Sequence, residues 1–272
     1  MRSVKIKEVI DALERFAPLP LQEEYDNAGL QVGLTEAEVS GALLCLDVTE
    51  RVVDEAITKG CNLIVAHHPL IFRKLSQVTD ANYVQRTVIK AIKNDIVIVA
   101  MHTNLDATFG GVNFKIAEKL GLRDVRFFGR EKVVTNPLTD KKVIGGDGVI
   151  GCFDTPLAAD DLILLLKKEF DVECVQANEL LRREIRTVAL CGGSGSFLLQ
   201  DAINAGADAF ITGEMGYHEF FGHEQEIQLC VIGHYQSEQY TTEVLRDVIE
   251  RDCPGVKCCI SEINTNPIVY FS

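Results

Sequence analysis

What most limits the fold of this chain is a recurring grammar. A short, wholly apolar run ends abruptly at a polar residue, and a stretch with helical spacing follows. Leu63-Ile64-Val65-Ala66 is the sharpest case and stops at His67-His68-Pro69. Apolar residues in sequence, without alternation, suit a strand covered on both faces, as in a parallel sheet between helices. Gly41 to Leu46 is a second such strand, ending at Asp47-Val48-Thr49. A helix over Glu50 to Lys59, with Thr49 as its N-cap and Gly60 as its stop, joins it to the histidine strand. That is one βαβ unit. A helix over about Asn82 to Lys93 and the strand Ile96 to Met101 repeat the pattern. They run into His102-Thr103-Asn104-Leu105-Asp106, then Gly110-Gly111 and a helix through Leu120. The expected class is therefore α/β, and in open α/β sheets ligands bind at the carboxyl ends of the strands.

The remaining chain reads in the same way. Ile6, Val9, Ile10, Leu13 and Phe16 give an amphipathic first helix, stopped by Pro18 and Pro20. Residues from about Arg130 to Gly148 are polar, with Asn136-Pro137 and Gly145-Gly146, the clearest break in composition. A boundary there gives a first domain of 1–130 plus 237–272 and a second of 131–236. In the second, a strand (Gly148 to Phe153) and a helix (Ala158 to Phe170) precede three more strands. Thr187 to Cys191 runs into Gly192-Gly193-Ser194-Gly195-Ser196, and Ala207 to Thr212 into Gly213-Glu214. Gln228 to Gly233 runs into His234 and a helix through Arg251. Val256 to Ile263 reads as a last strand that returns to the first sheet.

Composition excludes several classes. Formal net charge is −13, which disfavours nucleic acid because non-specific binding needs clustered Lys and Arg. Apolar runs are too short to cross a membrane, and the first residues lead into a helical pattern, not a signal-peptide core. Nine cysteines, an odd count with no CxxC pair, sit mostly in apolar strands and point to a reduced, cytoplasmic protein. A site rich in carboxylates in so acidic a chain would be partly neutralised by bound cations.

The chemistry gathers at the strand ends. Of six histidines, His67, His68, His102 and His234 directly follow apolar strands, and His218 follows one closely. Neighbouring strand residues point to opposite faces, so His67 and His68 are expected to diverge toward two ions. His234 and Glu238 are four apart and share one face if a helix starts at the strand end. With Asp106 these make three imidazoles, two carboxylates and no thiolate, a donor set for Zn²⁺, Mn²⁺, Fe²⁺ or Co²⁺. Five side chains exceed what one catalytic zinc uses and suit two divalent ions roughly 3.5–4 Å apart. Asp47 and Thr49 either orient a ligating histidine or water, or simply cap a helix. His102 either supports or faces substrate at such a site, or is a hydrogen-bonded histidine beneath it. Glu214 and His218, also four apart, offer substrate contacts or an acid/base pair, or else form a polar helix face. The loop Gly192-Gly193-Ser194 either presents backbone N–H groups to a phosphate or is a tight turn.

Taken together, Asp26-Asn27-Ala28-Gly29-Leu30-Gln31-Val32-Gly33, Leu46-Asp47-Val48-Thr49, His67-His68-Pro69-Leu70-Ile71-Phe72, His102-Thr103-Asn104-Leu105-Asp106, Gly192-Gly193-Ser194-Gly195, Thr212-Gly213-Glu214 and Gly233-His234-Tyr235-Gln236-Ser237-Glu238 resemble one family along nearly the whole chain. It is that of the dinuclear-metal-centre hexameric proteins, related to the yeast NGG-interacting factor and labelled GTP cyclohydrolase 1 type 2 homologues in bacteria. Tyr25 stands where Trp is usual, and the large extra domain of some members is absent. The resemblance implies two α/β domains facing a central cleft with a dinuclear metal site held by His67, His68, Asp106, His234 and Glu238. It also implies a toroidal homohexamer, a trimer of dimers. The implied activity is a metal-dependent hydrolase that activates a bridging water for attack on a nucleotide-like substrate, with His102 or His218 moving protons. The alternative is a non-catalytic metal-binding scaffold or metal-delivery protein acting through protein partners.

Overall fold

The structure, a computed structural model, describes residues 3–271. Its elements in chain order begin with α1 (Ile6–Phe16), β1 (Gly29–Val32), β2 (Ala42–Cys45), α2 (Glu50–Lys59), β3 (Leu63–Ala66), α3 (Tyr83–Lys93), β4 (Val97–Ala100) and α4 (Thr103–Asp106). There follow α5 (Val112–Lys119), β5 (Arg123–Thr135), β6 (Lys142–Leu157), α6 (Ala159–Glu169), β7 (Gln176–Ala177), β8 (Ile185–Cys191) and α7 (Leu199–Asn204). The chain closes with β9 (Ala209–Thr212), β10 (Gln228–Val231), α8 (His234–Glu238), α9 (Thr241–Asp252) and β11 (Cys258–Ile260). These elements form two compact units, both α/β.

Among the described residues the first unit comprises 3–105, the short segment Thr135–Lys142, and 241–271. Its sheet runs β1-β4-β3-β2-β11, with β4, β3, β2 and β11 parallel and β1 antiparallel at the outer edge. Every residue of β2, β3 and β4 is buried, as the unbroken apolar runs require. Helix α2 starts where the hydroxyl of Thr49 accepts from the Val52 amide and stops at Gly60, whose φ of 68° suits a residue without Cβ. Asn82 caps α3 in the same way. The inner faces of α2 and α3 (Val52, Val53, Ala56, Val88, Ala91) pack with Leu43, Cys45, Ile64 and Ile98 into one apolar core. The expected return of the tail is borne out: β11 pairs parallel with β2.

The second unit comprises Asp106–Val134 and Val143–Tyr240. Its sheet runs β5-β6-β8-β9-β10-β7, with β8, β9 and β10 parallel. Phe128, Ile150, Ala189, Leu198, Phe210 and Leu229 centre its core. The stretch read as a polar break is in fact ordered. It is the hairpin of β5 and β6, and β5 reads as polar because it is the sheet's outermost strand and mostly exposed. Residues 106–130, expected with the first domain, cluster with this unit. There α5 packs on β8, and Asn113 ties the Asp106 and Asp147 carbonyls to the Gly192 amide. Among the described residues no helix is long and apolar enough to cross a membrane.

Candidate metal centre

In the first unit Cys45, Ala66 and Ala100 lie side by side in one register row. The residues after them therefore emerge at one sheet edge: Asp47 from β2, His67 and His68 from β3, His102 from β4. Strand β1 runs the other way, with Gly29 opposite Ala100, so it is the residues before it that reach this edge, among them Asp26.

All three histidines here are held by Nδ1. His67, fully buried, has Nδ1 2.8 Å from the Met101 carbonyl oxygen. His68 Nδ1 is 2.7 Å from Asp47 Oδ1, and His102 Nδ1 is 2.7 Å from Asp26 Oδ1. A carbonyl or carboxylate oxygen only accepts, so in each ring it is Nδ1 that carries the hydrogen. That is the pattern of imidazoles prepared to bind a metal. One nitrogen from each of the three lies within 4.8 Å of the others. The expected divergence of His67 and His68 is not what forms. Their ring centroids are 4.8 Å apart, because β3 has ended at Ala66 and Asp47 draws the second ring back. Burial alone would raise the Asp26 carboxyl, but bonds from His102 and Thr103 outweigh it and hold it at about 2. Asp47 is likewise held below the usual range, with burial opposed by His68 and by the hydroxyl of Thr265.

In the second unit Cys191, Thr212 and Val231 form a corresponding row. Gly233, at φ 95°, turns the chain straight from β10 into α8. His234 and Glu238 thus lie one turn apart, with Nε2 to Oε2 3.2 Å, as the spacing predicted. His234 Nδ1 faces Glu214 Oε1 at 2.9 Å, and Glu214 Oε2 accepts from the Ser194 hydroxyl at 2.5 Å. The Ser194 bond, then the imidazole charge, keep Glu214 ionised below its ordinary range despite partial burial. Asp106, at the end of α4, brings a carboxylate oxygen within 4.8 Å of one from buried Glu238. Burial, then the charges of Asp106, Glu238 and Asp147, push the Cys191 thiol well up, so it stays a protonated neighbour.

Two expectations are corrected here. Glu214 does not share a helix face with His218: it sits in a loop, bonded to His234 and Ser194, while His218 lies exposed on a separate 3₁₀ turn, Tyr217–Phe220. Nor does the Gly192-Gly193-Ser194 loop offer a ring of amides to a phosphate. The Gly192 N–H donates to Asn113, Gly193 to Ser237, and Gly195 to Thr212. The loop instead shapes the acidic donors. Gly193 has φ +59°, and a Cβ there would overlap the Glu238 carboxylate oxygen. Sequence reasoning missed Asp26 and the tail residue Thr265, and left open whether Asp47 orients a histidine, which it does.

The profile of the Duf34/NIF3 (NGG1p interacting factor 3) family matches residues 4–267. The chain belongs to this family. It is 34% identical over 271 residues to a GTP cyclohydrolase 1 type 2 homologue of Clostridium perfringens, spanning 98% of this chain and all of the relative. A protein of the same description from Clostridium acetobutylicum is 32% identical over 250 residues, covering 91% of this chain and 90% of its own. Among solved structures, a Bacillus cereus protein related to NIF3 superposes with a TM-score of 0.86 at 25% identity, each chain fully covered. The resemblance read from the motifs thus stands, and with it the α/β class.

Proposed function

We propose that this family member is a metal-dependent hydrolase in which His67, His68, Asp106, His234 and Glu238 hold two divalent ions. One observation carries the reading. All four strand-end histidines have Nδ1 fixed by an oxygen acceptor, Met101 O, Asp47, Asp26 or Glu214. An acceptor fixed on Nδ1 sets the tautomer and ring orientation that a ligating imidazole needs, and here it recurs at one strand end after another. Nitrogen and oxygen donors with thiols kept protonated fit Zn²⁺, Mn²⁺, Fe²⁺ or Co²⁺. Bound there, such ions supply a Lewis acid and bring the pKa of water toward 7.

The chain's own residues do the rest. Asp47, Glu214 and the Met101 carbonyl fix the tautomer of the ligating rings. His102, hydrogen-bonded through Nδ1 to Asp26, is the group placed to move a proton. Tyr25 and Phe72 support a planar, nucleotide-like substrate. Both are exposed, their rings meet at 6.4 Å, and Phe72 stands 6.1 Å from His102. Their loops are tied together where Asn27 donates to the Ile71 carbonyl and the Ile71 amide to Gln31. The relatives' description as GTP cyclohydrolase 1 type 2 homologues accords with a nucleotide. The family's description as an interacting factor favours the second reading, a metal-binding scaffold.

The test is turnover on a nucleotide panel before chelation, after it, and after restoring Mn²⁺, Zn²⁺ or Fe²⁺, with His67→Ala as control. Activity lost and regained with metal supports the hydrolase. No metal-dependent turnover on any nucleotide overturns it in favour of the scaffold.

A further inference from the structure

The stretch after β11 has no regular secondary structure, yet it is fastened at every step. The Ser261 amide donates to the Leu44 carbonyl and continues the pairing with β2. The carboxylate of Glu55, on α2, takes both the Ser261 hydroxyl (2.5 Å) and the Glu262 amide (2.8 Å). Lys59 spans Glu55 and Glu262 at 2.8 and 2.9 Å, and Ile263 packs against the apolar core beneath α2. Because β11 is parallel to β2, a strap fastened this way advances past the carboxyl end of β2, where Asp47 sits. Thr265 arrives there, and its hydroxyl donates to Asp47 Oδ2 at 2.6 Å. The other oxygen of the same carboxylate takes His68 Nδ1 at 2.7 Å.

Each oxygen of Asp47 is thus claimed from a different side. A carboxylate held by one bond can swing about its χ2, a broad and nearly unrestrained torsion. One held at both ends cannot, and it fixes the plane of the imidazole that donates to it. Of these residues Thr265 is the one that reaches Asp47, so the strap meets His68 through that carboxylate. We infer that Thr265 is a positioning residue for the candidate metal centre, and that the C-terminal strap sets its affinity for divalent ions through Thr265, Asp47 and His68. This rests on the proposed role of His68 as a ligand.

The test is Co²⁺ titration of the full chain, read by its visible d–d absorption and by competition with a chelating dye, for wild type, Thr265→Val and Thr265→Ser. Valine matches threonine in shape and lacks the donor; serine keeps the donor. Thr265→Val is expected to bind Co²⁺ about tenfold more weakly, the lower end of what losing an outer partner of a ligating histidine costs. Its absorption band should change as the ring reorients, and Thr265→Ser should restore both affinity and band. A chain ending at Asn264 should match Thr265→Val. Thr265→Val should lower the melting temperature of the metal-free protein only by what the one lost bond to a carboxylate costs, and Thr265→Ser should recover it. Equal affinity in wild type and Thr265→Val overturns the inference while leaving the metal centre standing. So does a loss that Ser fails to restore. Wild type that takes up no Co²⁺ overturns the metal centre itself, and the inference with it.

Discussion

Gly193→Ala separates folding from metal binding in a single substitution. At φ +59° an alanine pays for the left-handed backbone, about 1 kcal/mol. Its Cβ would also meet Glu238, with Cδ at 3.3 Å and a carboxylate oxygen in overlap, while His234 Cε1 at 3.4 Å is in ordinary contact. The atom that overlaps is the far end of a flexible side chain, so folding need not absorb the clash: Glu238 swings aside. It is nonetheless 4% exposed, and any swing takes its carboxylate off the line to His234. Urea denaturation of the metal-free protein should therefore show a loss of only about 1 kcal/mol. Zn²⁺ affinity, measured by competition with a chelator, should fall by about tenfold or more, since a proposed ligand is displaced and not merely its support. A variant that binds Zn²⁺ like wild type refutes the argument. So does one that loses several kcal/mol of stability while keeping the metal.

Two further outcomes follow from the geometry. Asp208 accepts from the Arg186 and Thr187 amides at 3.0 and 2.9 Å and pairs with Arg183, so Asp208→Ala should cost about 2–3 kcal/mol by urea denaturation. Burial would raise its carboxyl, but the two amides and Arg183 hold it below the usual range. Its contribution is therefore full above the unfolded value of about 3.9 and fades as pH falls through the lower folded value, so wild type and variant should converge in acid. Phe72→Ala should raise KM for a nucleotide substrate several-fold while leaving bound metal unchanged by elemental analysis; a loss of metal would show that the ring supports the metal centre and not the substrate.

How far the sequence could be read depends on whether a residue is placed by its own strand or by another. Helix α2, its Thr49 cap and its Gly60 stop are local, and they appear where spacing put them. The four strand-end histidines are local too, since an apolar run that stops at His67 or His234 needs no partner to be seen. Asp26 is not local: it reaches the edge only because β1 runs antiparallel beside β4, which no pattern in residues 26–33 states. Thr265 depends on a return of the tail across more than two hundred residues. The four-residue spacing of Glu214 and His218 suggests a shared helix face, but Glu214 sits in a loop and is placed by Ser194 and His234 from other elements. The β5–β6 hairpin reads as a break because an exposed outer strand is as polar as a linker.

The most direct measurement is elemental analysis of protein purified without chelators, beside a variant in which His67, His68, His234 and Glu238 are all replaced by alanine. About two divalent ions per wild-type chain are expected, and none in a folded variant. Wild type that stays empty after remetallation, or a folded variant that carries as much metal, would contradict that expectation.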